Sequence, residues 1–273
     1  MLPVLVNLPF LKIYTFGVFL LLAFFWGSFM LWKNILLTSY KEDDVFDSMF
    51  ISLVFGLFIS RLVYVATHFG DFGFNVLKFI LINGYPGLSL YGFLAGVSIA
   101  LFLYFQYRKI KFKEAVDYFV PAAFIALGFG KLGAFFAAVE IGTRTSVPIA
   151  MKYAGAAGMR HLTPLYESIL FFAGAFIAYN LVFSVRRGTF SKGAVAAFFW
   201  WYTALILALF DFLKDRPTTV FSGVSLNLAI SGFLLLTFTG FFIYYFRSLI
   251  LSPFTKHGKS AIKNNNKKIQ GRS

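Results

Sequence analysis

Seven runs of mostly apolar residues recur along the chain, divided by short polar segments. They cover approximately residues 13–32, 45–67, 88–107, 115–139, 164–185, 193–213 and 224–246. Runs of about 20 apolar residues are long enough to cross a bilayer as α-helices. A lipid-exposed backbone has to satisfy its polar groups internally, which leaves helices as the reading for segments of this length. The pattern predicts an all-α polytopic membrane protein with seven transmembrane helices. Two shorter stretches, residues 1–10 and 72–84, are only partly apolar and are expected along the interface. The largest loop at the outer end is residues 140–163. Residues 1–250 read as one transmembrane unit and 251–273 as a polar, basic tail, expected to be disordered and drawn to anionic headgroups. No internal repeat and no second soluble domain is expected.

Composition sharpens this reading. The chain is 59% hydrophobic and 21% aromatic, with mean hydropathy +0.76. That is more apolar surface than a soluble protein of this length can bury. The net charge of +14 does not point to nucleic acid, because most basic residues flank the apolar runs. Sixteen of the 25 Lys and Arg residues fall in the segments after the first, third, fifth and seventh runs. Basic loops mark the cytoplasmic side, so the N-terminus is expected outside and the C-terminus in the cytoplasm. The first residues show neither a basic n-region nor a small-residue cleavage site, so no cleavable signal peptide is expected. Without cysteine, the chain has no thiol nucleophile, thiolate metal site or disulfide. The three histidines are too scattered to suggest a metal site, and neither a metal nor a cofactor is expected.

Against this background the ionisable residues inside the runs stand out. Lys131 lies in Gly128-Phe-Gly-Lys-Leu-Gly133. An intramembrane cation costs several kcal/mol unless an anion meets it, and a lipid phosphate is the natural anion at that depth. Glycines 128, 130 and 133 allow a backbone or ligand to approach closely. Glu140 is nine residues on, about 13.5 Å along a helix, so a direct pair requires the helix to end between them. Arg61, within the second run, either holds a lipid phosphate, pairs with Glu140, Asp117 or Asp211, or snorkels toward the surface. If both cations are functional, Arg61 and Lys131 converge on one headgroup pocket. His161 is a proton shuttle or an interfacial residue beside Pro164. Glu167 is expected in the first turn of the fifth helix, facing its dipole. Gly92 and Gly96 predict close helix packing. Tyr91 is either functional or part of an aromatic belt. Asp211 and Lys214 bring further charge to the end of the sixth run.

These stretches together resemble prolipoprotein diacylglyceryl transferase, over roughly residues 10–246. The family signature G-R-x-G-N-F-x-N-x-E-x-x-G is met by Gly130-Lys-Leu-Gly-Ala-Phe-Phe-Ala-Ala-Val-Glu140-Ile-Gly142. Lysine stands for the arginine, alanines for both asparagines, and the glutamate comes one place late. Arg160-His161-Leu-Thr-Pro-Leu-Tyr-Glu167 follows R-H-P-x-Q-L-Y-E. Tyr91-Gly-Phe-Leu-Ala-Gly96 follows H-G-G-L-x-G with the histidine replaced, and Arg61 with Tyr64 follows G-x-R-x-x-Y. An arginine expected near Ile206 or Leu207 is missing.

The resemblance implies a multi-pass enzyme of the bacterial plasma membrane. It would move the diacylglyceryl group of phosphatidylglycerol to the lipobox cysteine thiol of a prolipoprotein. Its partners would be phosphatidylglycerol, prolipoprotein signal peptides and the bilayer, with no nucleic acid. Lys131, His161, Tyr91 and Glu140 are the implied catalytic positions. Arg61, Lys131, Arg160, Tyr64 and Gly142 are the implied substrate-binding ones. The substitutions keep a rival in view, a homologue that binds or presents phospholipid without transfer. A transporter is the remaining alternative.

Overall fold

The computed structural model describes residues 3–8, 10–82, 84–153, 156–215 and 224–247. Arg216 and the tail from residue 251, where disorder is expected, lie outside them. The chain opens with a hairpin of β1 (Val4–Leu8) and β2 (Leu11–Tyr14), pairing Val4 with Tyr14 and Leu8 with Leu11. There follow α1 (Thr15–Ile35), α2 (Glu42–Thr67), two short helices α3 (Phe69–Phe72) and α4 (Val76–Ile80), α5 (Leu90–Tyr107) and α6 (Phe112–Phe136). Strands β3 (Met151–Lys152) and β4 (Met159–Arg160) precede α7 (Thr163–Arg186) and α8 (Ala194–Asp211). The last helix, α9, covers Leu226–Arg247. Seven of these helices are long and apolar enough to span a membrane among the described residues, and each falls on one of the seven apolar runs.

The differences from the sequence pattern have local causes. Helix α2 starts before its apolar run because Glu42, Asp43 and Asp44 occupy its first turn, where carboxylates suit the N-terminal dipole. Helix α6 stops before the end of its run. Ala138, just beyond it, takes a left-handed φ of 55°, which turns the chain out of the helix. Within the first short stretch, Val4–Leu8 joins a hairpin, which pairs backbone groups that a lone interfacial segment would leave to water.

Helix α6 is the most buried span and α9 the least. It packs on α1 and α7, while α2 packs on α5 and α8 on α7. Small residues set these distances, as expected where lipid offers no hydrophobic drive. A methyl on Gly96 would lie 2.9 Å from the Gly56 Cα, and one on Gly92 3.1 Å from the Ser60 Cα. The close packing read from that glycine pair is therefore the α2–α5 contact. The core between α6, α7 and α8 centres on Phe124, Phe171 and Phe199. At the end bearing the basic loops, Arg108 pairs with Asp44 and Lys192 with Glu114 (2.7 Å). Buried Asp117 of α6 accepts from the Gly193 and Ala196 amides (2.7 and 2.9 Å), capping α8. The opposite end carries the polar cluster described next.

Candidate functional site

Because α6 ends at Phe136, the chain folds back and sets Glu140 against Lys131 of the last helical turns. The Lys131 Nζ donates to Glu140 Oε1 and Oε2 at 2.6 and 2.9 Å. It also lies 2.8 Å from Glu167 Oε2. Glu167 belongs to the second turn of α7, not the first, and its side chain is fully buried. There it meets lysines, where the sequence suggested the helix dipole. Lys214, three residues beyond α8, completes the cluster, with Nζ 2.6 Å from Glu167 Oε1 and 3.1 Å from Glu140 Oε2. Two ammonium groups and two carboxylates thus form a closed ring in which each charge touches both opposite charges. The side chain of Glu167 is 0% exposed, those of Lys131 and Lys214 8% and 12%, and that of Glu140 33%. Burial pushes the Glu140 carboxyl up, but Lys131 and Lys214 outweigh it and hold it down at about 2.

Short backbone ladders fix these positions. Gly142 bridges Lys214, with Thr143 N–H donating to Leu213 (2.8 Å) and Asp215 N–H to Ile141 (2.9 Å). On the other edge of residues 141–145, Arg144 bridges Arg160, and β4 pairs with β3. Neighbours on a strand point to opposite faces. Lys214 therefore enters the charge ring while Asp215 pairs with Arg160, which also donates to the Gly142 carbonyl at 3.0 Å. A Cβ on Gly142 would collide with the His161 carbonyl, so the ladder needs glycine there. Within the loop read as residues 140–163, residues 141–145, 151–152 and 159–161 form this ladder. Beneath it, burial pushes the Tyr153 phenol up to about 12, with Tyr166 and Glu140 adding to the shift. Tyr153 packs on Phe135 and Leu162.

The other candidates fall into place unevenly. Arg61 is 3% exposed, and its three nitrogens donate to the carbonyls of Phe79 (2.9 Å), Gly87 (2.8 Å) and Lys78 (2.7 Å). Its guanidinium lies over the Phe72 ring, 5.0 Å from the centroid, and 5.9 Å from that of Tyr64. Tyr64 fills the space a Cβ on Gly87 would need. Arg61 and Tyr64 thus clamp the segment between α2 and α5. Among the described residues Arg61 and Lys131 share no partner, and their contacts there do not build the expected joint pocket. The partners of Arg61 among the described residues are carbonyls.

Among the α6 glycines, a Cβ on Gly128 would meet the Phe172 ring at 2.8 Å and one on Gly133 the Phe19 Cβ at 2.5 Å, while Gly130 has nothing within 4 Å. Of the three, Gly130 alone has open space at its Cβ position among the described residues. The Tyr91 hydroxyl is 2.5 Å from Ser231 Oγ, tying α5 to α9 in a buried contact. His161 enters the ladder through its backbone, which accepts from Tyr153 Oη at 3.5 Å and donates to Thr143. Asp211 accepts from Ser225 at 2.6 Å.

The fold and this charged cluster at one end of the bundle define a class: a polytopic α-helical membrane protein with a polar site between span ends. A family model described as prolipoprotein diacylglyceryl transferase matches residues 3–244. The chain is 27% identical over 247 residues to the phosphatidylglycerol–prolipoprotein diacylglyceryl transferase of Clostridium tetani, covering 89% of this chain and 96% of the relative. It is 26% identical to the Streptococcus suis (strain 05ZYH33) protein of that name, covering 86% and 88%. With the Geobacter sulfurreducens protein of that name it shares 30% identity over 78% of this chain and 80% of the relative. The chain belongs to the prolipoprotein diacylglyceryl transferase family.

Proposed function

We propose that this chain, in the plasma membrane of a bacterium, transfers the diacylglyceryl group of phosphatidylglycerol to the lipobox cysteine thiol of a prolipoprotein. One observation supports this beyond family membership: Lys131 and Lys214 converge at the same end of the bundle, within reach of the same two carboxylates. In the reaction the bond between the glyceryl carbon and the phosphate oxygen breaks and a carbon–sulfur bond forms. Glycerol phosphate leaves with the bonding electrons, and the thiol proton passes to a base. Fixed cations in a water-poor site stabilise both the bound phosphodiester and the departing phosphate. Lys131 and Lys214 take that role, lysine acting as a point charge where arginine would grip bidentately. Glu140 and His161 are the candidate proton acceptors. Arg160, held to Asp215 and Gly142, positions His161. Gly142 holds the bridge to Lys214, Arg61 and Tyr64 hold the segment between α2 and α5, and Tyr91 ties α5 to α9.

The distribution of basic loops supports an orientation with the charged cluster at the outer leaflet, the N-terminus outside and the C-terminus in the cytoplasm. The test uses purified protein in phosphatidylglycerol vesicles with a lipobox peptide. The expected result is a peptide carrying a thioether-linked diacylglyceryl group, read by mass. If the Clostridium tetani relative modifies the peptide in parallel and this chain leaves it unchanged, the assignment fails. Rescue of a transferase-depleted bacterium excludes the rival reading of lipid binding without transfer.

A further inference from the structure

We infer that Glu140 is a built-in stand-in for the substrate's phosphate: its carboxylate yields the position between Lys131 and Lys214 to an anionic phosphate ester, while Glu167 stays as the permanent counter-ion. This rests on the transferase reading for the identity of the lipid, but not for the exchange itself. Three features of the ring carry it.

The first is charge. Two lysines facing two carboxylates leave no net charge to attract an anion. A phosphate can enter favourably only where a carboxylate leaves, because a third anion among buried charges is repelled at close range. With Glu140 displaced, two ammonium groups face one carboxylate, and a phosphodiester of charge −1 restores neutrality.

The second is the difference between the two acids. Glu167 is rooted in α7, its side chain is 0% exposed, and both its oxygens are taken by lysines. Glu140 lies in the segment after α6, and its side chain is 33% exposed. Its Oε1 faces Lys131 at 2.6 Å and its Oε2 faces Lys214 at 3.1 Å. Two oxygens of one phosphate can span the same pair. The partly exposed acid is the one that can swing outward at low cost, since its charge then returns to a polar environment.

The third is room. The open side of the ring is that of Glu140, its most exposed member. Lys214 becomes a binding residue in its own right, and the Gly142–Lys214 bridge positions it. The displaced Glu140 carboxylate stays beside the bound ester, near the group whose proton must be removed.

The ligand chemistry is a phosphate ester of net charge −1 or below. A lipid headgroup and a soluble glycerol phosphate both offer it. The experiment takes the full chain in phosphatidylcholine nanodiscs and titrates phosphatidylglycerol in one arm and glycerol phosphate in the other. Bound ligand is counted by native mass spectrometry. A competitor seated nine times in ten lowers apparent affinity about tenfold, so Glu140→Gln is expected to raise phosphatidylglycerol affinity by roughly that factor. Glu140→Asp, which keeps the charge on a shorter arm, is expected to raise it less, and Lys214→Gln to lower it. A rise in the lipid arm alone assigns the site to the headgroup, and a rise in both arms assigns it to the ester in general; each supports the exchange.

Unchanged or weaker binding by both Glu140 variants, with elution volume and thermal midpoint preserved, overturns it. So does an unchanged affinity in Lys214→Gln. Failure of the transferase reading appears separately. If wild type transfers nothing to a lipobox peptide while Glu140→Gln still gains affinity, the exchange stands and the activity falls.

Discussion

Replacing Lys131 with methionine keeps most of the side-chain volume and removes one charge from a ring of four. Lys131 is 7% exposed and touches both carboxylates. Its loss leaves two negative charges facing Lys214 alone, one of them on the fully buried Glu167. Removing one partner of a buried pair costs about 3–5 kcal/mol because the other charge is stranded. Glu140 can turn toward solvent and shed part of that cost, which favours the lower figure of about 3 kcal/mol. At about 2–4 °C per kcal/mol for a chain of this size, the thermal midpoint should fall by about 6–12 °C. The assay is a midpoint in one detergent at one scan rate, followed by tryptophan fluorescence.

Two companions make the reasoning exposed. Lys131→Arg keeps the charge and should move the midpoint by less than about 3 °C. Adding Glu167→Gln to Lys131→Met leaves Lys214 with Glu140, a balanced pair, so the double variant should melt above the single. A Lys131→Met midpoint within about 2 °C of wild type, or a double variant less stable than the single, would falsify the account of the ring as a charge-balanced unit.

Other features make independent predictions. Gly96→Val places a branched side chain where Gly56 Cα already sits 2.9 Å from a virtual methyl; overpacking of this kind costs about 1–3 kcal/mol, read as a lower midpoint with α2–α5 crosslinking yields reduced. Arg61→Lys keeps a cation but loses most of three carbonyl bonds, so amide exchange in residues 78–87 should rise while the region around Glu140 stays protected. Tyr91→Phe removes only the Ser231 contact and should cost about 1 kcal/mol while retaining lipid transfer; loss of transfer at unchanged stability would make the hydroxyl catalytic. Finally, the Glu140 carboxyl is lowered from 4.5 to about 2. A depressed carboxyl stabilises the fold fully above its unfolded value and loses that contribution as pH falls through the folded one. The wild-type midpoint should therefore drop between pH 4.5 and 2, and Glu140→Gln should flatten that slope.

The seven spans were legible because each is a long apolar run, and hydrocarbon tolerates few alternatives to a helix. The α2–α5 contact was legible in Gly92 and Gly96, since only the spacing of small residues on one face was needed. The pair between Lys131 and Glu140 was legible as a condition, that α6 end between them, and Ala138 meets it. Lys214 was visible only as a charge near a span end. Its role depends on a backbone bridge to Gly142, a pairing between loops that no local pattern announces. Glu167 read as a helix-dipole partner because the sequence carries no sign of two lysines arriving from elsewhere. The carbonyls of Lys78, Phe79 and Gly87 that Arg61 meets leave no trace in residue types, so that clamp was not legible.

The return of the chain after α6 also bears on how this protein enters the membrane. A nascent fourth span carrying a bare ammonium group would partition poorly into lipid. Glu140 follows Lys131 by nine residues, so this span brings its own neutraliser as it leaves the translocon. Glu167 and Lys214 emerge later, each the complement of the other, and join a pair that is already balanced. Only Glu167 has to wait, until Lys214 arrives beyond the sixth span, before all four charges are matched.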